Sequence, residues 1–399
     1  MLSRLPIVAW ISSFPVEWLP DAPDWVRQLP RQHPYSWLRV LLAELEKNPA
    51  VKLHVIVLRK QFARNGTFER NGVTFHLIKT PGGWRAPTLF WLDTWLIRRK
   101  LAEIKPDVVH AWGAEHGAAL VATRLKYPFV ATVQGLLTWY AEVTRLDCYH
   151  RFVARLERWS LPRAPVVTTE SRFAVDYLKR RWPRINARQV EHAPDWIFHR
   201  VERQPQTSPV RFIFVGGLSR LKGSDVLLAA LDRLKEELPF ELLVVGRLDA
   251  SSEKTLRKQT SAEIWRRIQF KHDLRPAEVA AELARATVMI FPTRADTSPN
   301  AVKEAVVAGV PVAASAVGGI VDYVWPGRNG ILFPSENVAE CVQALRAACA
   351  HPLFGQGRVE PAALNEAREY LSPRRMGERF WEIYQSLRHP HAGAQSKNR

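Results

Sequence analysis

Short apolar runs recur along the chain, each followed by a polar or glycine-bearing loop and then by apolar residues at helical spacing. In the first half they fall at 6–12, 51–58, 73–78, from Asp107 to His110, and at 129–133, 166–169 and 189–192. In the second half they fall at 210–215, 240–245, 268–270, 287–291, 310–314 and 331–333. The runs are continuous, not alternating, which suits strands covered on both faces, as in parallel sheets. Helical spacing predicts helices over 35–47, 84–105, 147–161, a segment ending at Arg181, 224–237, a segment through 304–308, and 373–387. Asn71-Gly72 predicts a turn before the third run. The alternation predicts α/β architecture with doubly wound parallel sheets.

The alternation breaks at 201–209, a polar stretch with Pro205 and Pro209, and then restarts. This predicts a first domain at 1–200, an interdomain linker opening a second domain at 201–372, and a terminal segment at 373–399. That last segment is an amphipathic helix carrying Phe380, Trp381, Ile383 and Tyr384, then a disordered end at 389–399. Segment 14–34, with Trp18, Trp25 and five prolines, predicts a long loop.

At 399 residues and 47% hydrophobic composition, each half can bury its own core. Cys148, Cys341 and Cys349 are too few for a disulfide framework and lack metal-ligand spacing, which fits a reducing cytoplasm. The apolar start is broken by Pro6 and followed by Glu17, Asp21 and Asp24, so a strand is expected there and not a leader peptide. No run reaches the roughly 18–20 apolar residues of a membrane span.

Charge adds a partner class. Residues 1–200 hold 30 Lys and Arg against 17 Asp and Glu, a net +13, while 201–399 hold 27 against 22, a net +5. The first half is therefore suited to an acidic partner. In 84–105, Trp91 and Trp95 share a side with Leu92 and precede Arg98, Arg99 and Lys100, the combination of an interfacial helix on an anionic membrane. An ordinary helix packed on the sheet is the plainer account. Nucleic acid is not expected as a partner, since no recognisable module accompanies the charge.

The richest chemistry lies between Phe291 and Gly319. A strand ends at Phe291, a loop carries Asp296, Ser298 or Thr297 caps a helix whose first turn holds Pro299, and Glu304 lies eight residues beyond Asp296, ahead of Gly309. Both acids sit at the carboxyl edge of a parallel sheet, where open α/β folds bind ligands. Carboxylates repel phosphate, so hydroxyls of a ribose or hexose are their natural targets. The strand at 210–215 leads into Gly216-Gly217-Leu218-Ser219-Arg220-Leu221-Lys222-Gly223, with Ser224 as helix cap. A glycine loop with a lysine before a helix N-terminus cradles phosphate. It is neither a P-loop nor the dinucleotide fingerprint. Phosphate cradle and hydroxyl-binding acids on one rim describe a nucleotide-sugar site. In the first half, His110, Glu115 and His116 fall at or beyond a strand's carboxyl end; His110 and His116 lack a third metal ligand at suitable spacing, so His110 is expected as a hydrogen-bonding pocket residue.

These two motifs resemble those of the family 4 glycosyltransferases of the GT-B fold, in which two Rossmann-like domains face a cleft. Residues 216–223 stand where that family carries Gly-Arg-Leu-x-x-x-Lys-Gly, and Asp296-x7-Glu304, continuing to Gly318-Gly319 and Asp322, stands where it carries Glu-x7-Glu. The match is close over 210–335 and looser at Asp107–His110 and at the segment ending Gln134-Gly135. The resemblance implies a retaining transfer from a nucleoside-diphosphate sugar to a glycan or lipid-linked hydroxyl, in cell-envelope polysaccharide or lipopolysaccharide synthesis, with no obligatory metal. It implies a cytoplasmic protein that can sit on the inner face of the membrane, and a last helix crossing back to the first domain. By position, Lys222 would bind the diphosphate, Glu304 the ribose and Asp296 the transferred sugar; these three, Gln134, which stands where a family histidine faces the sugar, and His110 are the expected catalytic residues. Gly216, Gly217, Arg220, Gly246, Thr297, Ser298, Asn300 and Ala301 would complete the donor pocket. Three positions depart from the family: Gly217 replaces an arginine, Asp296 is one methylene shorter than the usual glutamate, and Gln134 stands where many members carry histidine. Glutamine cannot serve as an acid or base at neutral pH. The alternatives are a sugar-nucleotide-binding protein with weak or no transfer, and another GT-B reaction such as sugar-nucleotide epimerisation.

Overall fold

The computed structural model describes residues 4–31 and 35–388. The end expected to be disordered, 389–399, lies outside the described residues. Contacts divide the chain into two units. The first is Met1–Glu170, Ala174–Glu191 and Arg374–Arg399; the second is His192–Pro373 with Ser171–Phe173.

The first unit holds strands β1 (Ile7–Ile11), β2 (Lys52–Arg59), β3 (Gly66–Arg70), β4 (Val73–Lys79), β5 (Val108–Trp112), β6 (Phe129–Thr132), β7 (Val166–Thr169) and β8 (Ala187–Gln189). They pair in the order β3-β4-β2-β1-β5-β6-β7-β8. Every pairing is parallel except β3 with β4. That antiparallel pair departs from the expected all-parallel sheet. Asn71 (φ 46°) and Gly72 (φ 78°) both take the left-handed conformation, as a tight hairpin turn requires. Strand β3 itself alternates half-buried and exposed residues at the sheet's edge, so it lacks the apolar run that marks the others.

The long segment after β1 is tied down. Arg59, buried at the end of β2, donates from Nη1 to the Glu17 carboxylate at 2.7 Å and from Nη2 to the Phe14 carbonyl at 2.8 Å. The helix expected over 84–105 is only Trp91–Ile104. Leu89 and Phe90 adopt positive φ and break the pattern ahead of it.

The second unit holds β9 (Val210–Val215), β10 (Phe240–Val245), β11 (Ile268–Lys271), β12 (Val288–Phe291), β13 (Val312–Ser315) and β14 (Gly330–Phe333). These are wholly parallel, in the order β11-β10-β9-β12-β13-β14. Phe212, Phe214, Leu242, Val244, Ile290 and Phe291 lie in one core with the helix residues Leu227, Leu231 and Val306. The stretch expected to be a linker is sewn into this unit. The Arg203 guanidinium bonds the carbonyls of Leu283, Ala284, Ala286 and Gly357. The division therefore falls at Glu191/His192 and not within 201–209.

From Arg374 on, the helix Pro373–Arg388 belongs to the first unit. Its Tyr384 hydroxyl accepts from Trp10 Nε1 at 3.0 Å and lies 2.7 Å from His110 Nδ1. His110 Nε2 lies 2.6 Å from Thr132 Oγ1, and its ring stacks on Trp112. Fully buried, with both nitrogens engaged, His110 is a core pin in β5, which corrects the expectation of a pocket residue.

Candidate functional site

In the second sheet, β9 has β10 on one side and β12 on the other, so the chain reverses its winding direction there. The crevice beyond such strands is where open α/β sheets hold ligands. The loops following β9, β12 and β13 meet at this edge, and glycines let them.

Gly216 sits at φ 143°, and a Cβ on Gly246 would lie 2.0 Å from the Gly216 carbonyl oxygen. Gly223 (φ 71°) passes so close to β12's exit that a Cβ would lie 1.8 Å from the Pro292 oxygen. A Cβ on Gly318 would lie 1.7 Å from the Asp296 oxygen, and Gly319 N donates to the Thr297 carbonyl at 2.9 Å. Backbone clashes of this depth cannot relax by side-chain movement, so the glycine run at 318–319 is the seat on which the Asp296 loop rests.

That loop meets Lys222. Its Nζ lies 2.5 Å from Asp296 Oδ2 and 5.4 Å from the centre of the Phe291 ring. The other carboxylate oxygen of Asp296 accepts from Ser298 N at 3.1 Å. One short acid therefore holds both the lysine and the approach to the next helix. Arg294, which the motif comparison passed over, locks the two loops together. It donates to the Arg220 carbonyl and to both Asp225 oxygens (2.7 and 2.8 Å), and its own amide donates to the Leu221 carbonyl at 2.8 Å. A lone arginine in a strand-end loop carries no sequence signal of that role, because its partners lie about 70 residues away.

The helix is Asn300–Val307, with Pro299 at the N-cap position and no side-chain cap. Ser298 does not cap it as expected: its hydroxyl is buried without a partner among the described residues, and the N-cap position falls to Pro299. The first helical bond runs from Lys303 N to the Pro299 carbonyl, so the amides of Asn300, Ala301 and Val302 have no helical acceptor. The helix ends at Gly309 (φ 78°), as its sequence predicts. At Ser224 the expectation also shifts by one residue: Gly223 is the N-cap, without a side-chain bond.

Glu304 lies one turn into the Asn300–Val307 helix. Among the described residues its carboxylate makes no hydrogen bond or ion pair. Burial raises its pKa to about 8, with Lys303 opposing the shift and Asp195 adding to it. A desolvated acid whose oxygens are uncommitted is a site prepared for hydroxyl donors.

Other expected residues separate from this group. Gly217 is exposed, and a Cβ there would meet only the Arg247 oxygen, at 3.4 Å. Arg220 is exposed and lines a cavity of about 230 Å³ with Ser251, Ser252 and Thr255, a cavity that Lys222 and Asp296 do not line. Gln134 is half-buried in the loop between β6 and the helix Leu137–Val143 of the first unit.

Comparison with known proteins accounts for both units. Residues 38–197 match the description "Glycosyltransferase Family 4", and residues 209–351 match "Glycosyl transferases group 1". A glycogen synthase from Mycobacterium tuberculosis is 26% identical over 265 residues, covering 65% of this chain and 64% of that protein's length. Among solved structures, sucrose-phosphate synthase from Thermosynechococcus elongatus superposes with a TM-score of 0.75 at 17% identity, over 96% of this chain and 99% of that one. Anabaena HepE in complex with UDP and glucose does so with a TM-score of 0.67 at 14% identity, over 96% and 100%. At such identities the superpositions establish a shared fold.

Proposed function

Because the chain is a glycosyltransferase of the GT-B fold, with a Family 4 domain followed by a group 1 domain, we propose that it moves a sugar from a nucleoside-diphosphate sugar to a hydroxyl of a glycan or lipid-linked acceptor, with retention at the anomeric carbon. The observation that carries this is Glu304: a half-buried acid, uncommitted among the described residues, one helical turn from open amides. It is matched to the vicinal hydroxyls of a ribose. Lys222 and the amides of Asn300 to Val302 face the diphosphate, and Thr297, Ser298 and Gly246 border it. Asp296 holds Lys222 until the donor enters and then shares it. As the bond from the anomeric carbon to the diphosphate breaks and that to the acceptor oxygen forms, charge grows on the leaving diphosphate. Preorganised donors stabilise that charge without reorganisation. Gln134 would hydrogen-bond an acceptor or sugar hydroxyl, and no acid–base role falls to it.

The exposed tryptophans favour a place for this reaction. Trp84, Trp91 and Trp95 are each more than half exposed, beside Arg98 and Arg99. No helix among the described residues is long and apolar enough to cross a membrane. Peripheral attachment to the cytoplasmic face of an anionic membrane, in service of envelope polysaccharide synthesis, fits such a surface.

Calorimetry and thermal shift with nucleoside diphosphates and their sugars test the donor site, since a ligand of the native state raises the transition by mass action. HepE was solved with UDP and glucose, so uridine nucleotides are the first to try. Lys222→Ala is expected to weaken nucleoside-diphosphate binding about tenfold or more, the size of one lost charged hydrogen bond, and to leave nucleoside binding nearly unchanged. Equal loss for both ligands would refute the phosphate role.

A further inference from the structure

The helix Cys148–Ser160 of the first unit buries Val153, Ala154, Glu157 and Ser160. Glu157 is the charged group among them, and it has no exposed surface. An acid on the buried face of a helix loses its hydration and stays ionised only where donors replace the water. Those donors are present. Glu157 Oε1 accepts from Leu137 N at 3.3 Å, and Oε2 accepts from Thr138 N at 2.6 Å and from the Thr138 hydroxyl. All of them belong to the first turn of the helix Leu137–Val143, whose N-cap is Leu136. Leucine has no side-chain acceptor, and first-turn amides have none within their own helix. Glu157 supplies the cap from another helix.

The consequence lies just upstream. Val133 N donates to the Thr168 carbonyl at 2.9 Å, so the chain is fixed where β6 ends. It is fixed again at Leu137 and Thr138 by Glu157, and Leu137 packs on Val153 and Ala154 of the same helix. Between the two anchors lie Gln134, Gly135 and Leu136. Leu136 is buried, while Gln134 and Gly135 keep part of their surface open.

We propose that Glu157 is a positioning residue for Gln134: its carboxylate, capping the helix behind the loop, sets the place from which the Gln134 amide meets an acceptor or sugar hydroxyl. The role of Gln134 rests on the transferase reading, while the coupling of the two residues stands on the first unit alone.

Gln134 gains and loses no proton near neutrality, so its loop has no pH response of its own. Glu157 gives it one. Burial pushes the acid up to about 7, the three donors oppose the rise, and Glu115, in the segment after β5, adds to it. From the helix Arg172–Arg181, Tyr177 feels the Glu157 charge, with its own hydroxyl bonded to Glu142 at 2.8 Å. Protonation turns one carboxylate oxygen into a donor among donors, which loosens the cap.

The test uses the full, isotope-labelled chain and follows the Gln134 side-chain amide by NMR, with Gln134→Ala assigning the resonance. In the wild type the resonance is expected to move through one transition near pH 7. In Glu157→Gln, which mimics the neutral acid, it should stay at the wild type's acid position from pH 5.5 to 8.5. Release of UDP from UDP-glucose, measured at saturating donor so that Glu304's effect on affinity drops out, should fall about tenfold in that variant at pH 8 and lose its pH dependence. UDP affinity by calorimetry should hold. Thr138→Val keeps the acid and removes one donor to its ionised form, so the transition should move upward; this variant decides the matter if Glu157→Gln fails to fold. A transition that survives in Glu157→Gln, a midpoint unchanged in Thr138→Val, or a coupled resonance with an unchanged rate overturns the proposal. So does a lower melting temperature in Glu157→Gln with no shift of the resonance, which marks a cap without a positioning role. A coupled resonance in a chain that neither binds nucleoside diphosphates nor releases UDP keeps the link between Glu157 and Gln134 and removes the transferase reading.

Discussion

Glu304 sets the sharpest expectation at the scale of a residue. Its pKa is raised to about 8, so the folded chain holds a proton that the unfolded chain releases near 4.5. The stabilising effect of that proton is complete below about pH 4.5 and is lost as pH rises toward 8. Glu304→Gln should therefore stabilise the chain at pH 8, by about 1–2 kcal/mol once partial solvent contact is allowed for. If the ionised acid is what accepts from hydroxyls, donor affinity should rise about tenfold from pH 7 to 9 in the wild type and stay flat in Glu304→Gln. Calorimetry across that range checks both, and a parallel rise in the variant would detach the effect from this acid. Glu304 could be singled out as a candidate because its spacing from Asp296 and its place in a helix are properties of the local sequence. The Lys222–Asp296 pair was not, because it joins loops 74 positions apart through glycines whose close approaches no single window reveals.

Among elements, the strands were legible wherever both faces are covered, since burial on two sides leaves an unbroken apolar run. Strand β3, at an edge and half-exposed, left no such trace. The helix Trp91–Ile104 was overextended toward its start because the apolar residues at 84–90 fit a helical spacing that Leu89 and Phe90 break with positive φ. Its outward side carries Trp91, Trp95, Arg98 and Arg99 at four- and three-residue steps. Arg98 also caps the Arg124 carbonyl at 3.0 Å, and Lys100 is paired with Glu103, which leaves Arg99 as the one of these three cations with no hydrogen bond or ion pair among the described residues. Flotation with phosphatidylglycerol vesicles should fall several-fold in Trp91→Ala with Trp95→Ala, and less in Arg99→Ala, since buried aromatic area and one interfacial charge of about 1 kcal/mol contribute unequally. Unchanged flotation in the double variant would sink the membrane reading.

Across the whole molecule, the restart of the strand–loop–helix alternation revealed two units, and contacts placed their division ten residues before the expected linker, because Arg203 binds four carbonyls that no sequence window connects to it. The return of the last helix to the first unit was implied by resemblance; what fastens it is the Tyr384 hydroxyl between Trp10 and His110. Trp10 Nε1 can only donate, so the hydroxyl accepts from it and has its own proton for His110 Nδ1. Removing that oxygen takes from buried Trp10 Nε1 the acceptor it has here. Tyr384→Phe should lower the stability of the first unit by about 2–3 kcal/mol in urea unfolding, with the second unit unaffected. A loss below about 0.5 kcal/mol would show that ring packing alone fastens the helix.

The same helix fixes an order of events during synthesis. The first unit's central strands lie near the amino end, but the side chain that satisfies Trp10 and His110 is Tyr384, made only as translation finishes. The second unit, His192–Pro373, is complete in sequence before then. The part of the protein synthesised first is thus the part that matures last, and a chain ending just after Pro373 holds every residue of the second unit but lacks the Tyr384 hydroxyl that Trp10 and His110 meet in the first.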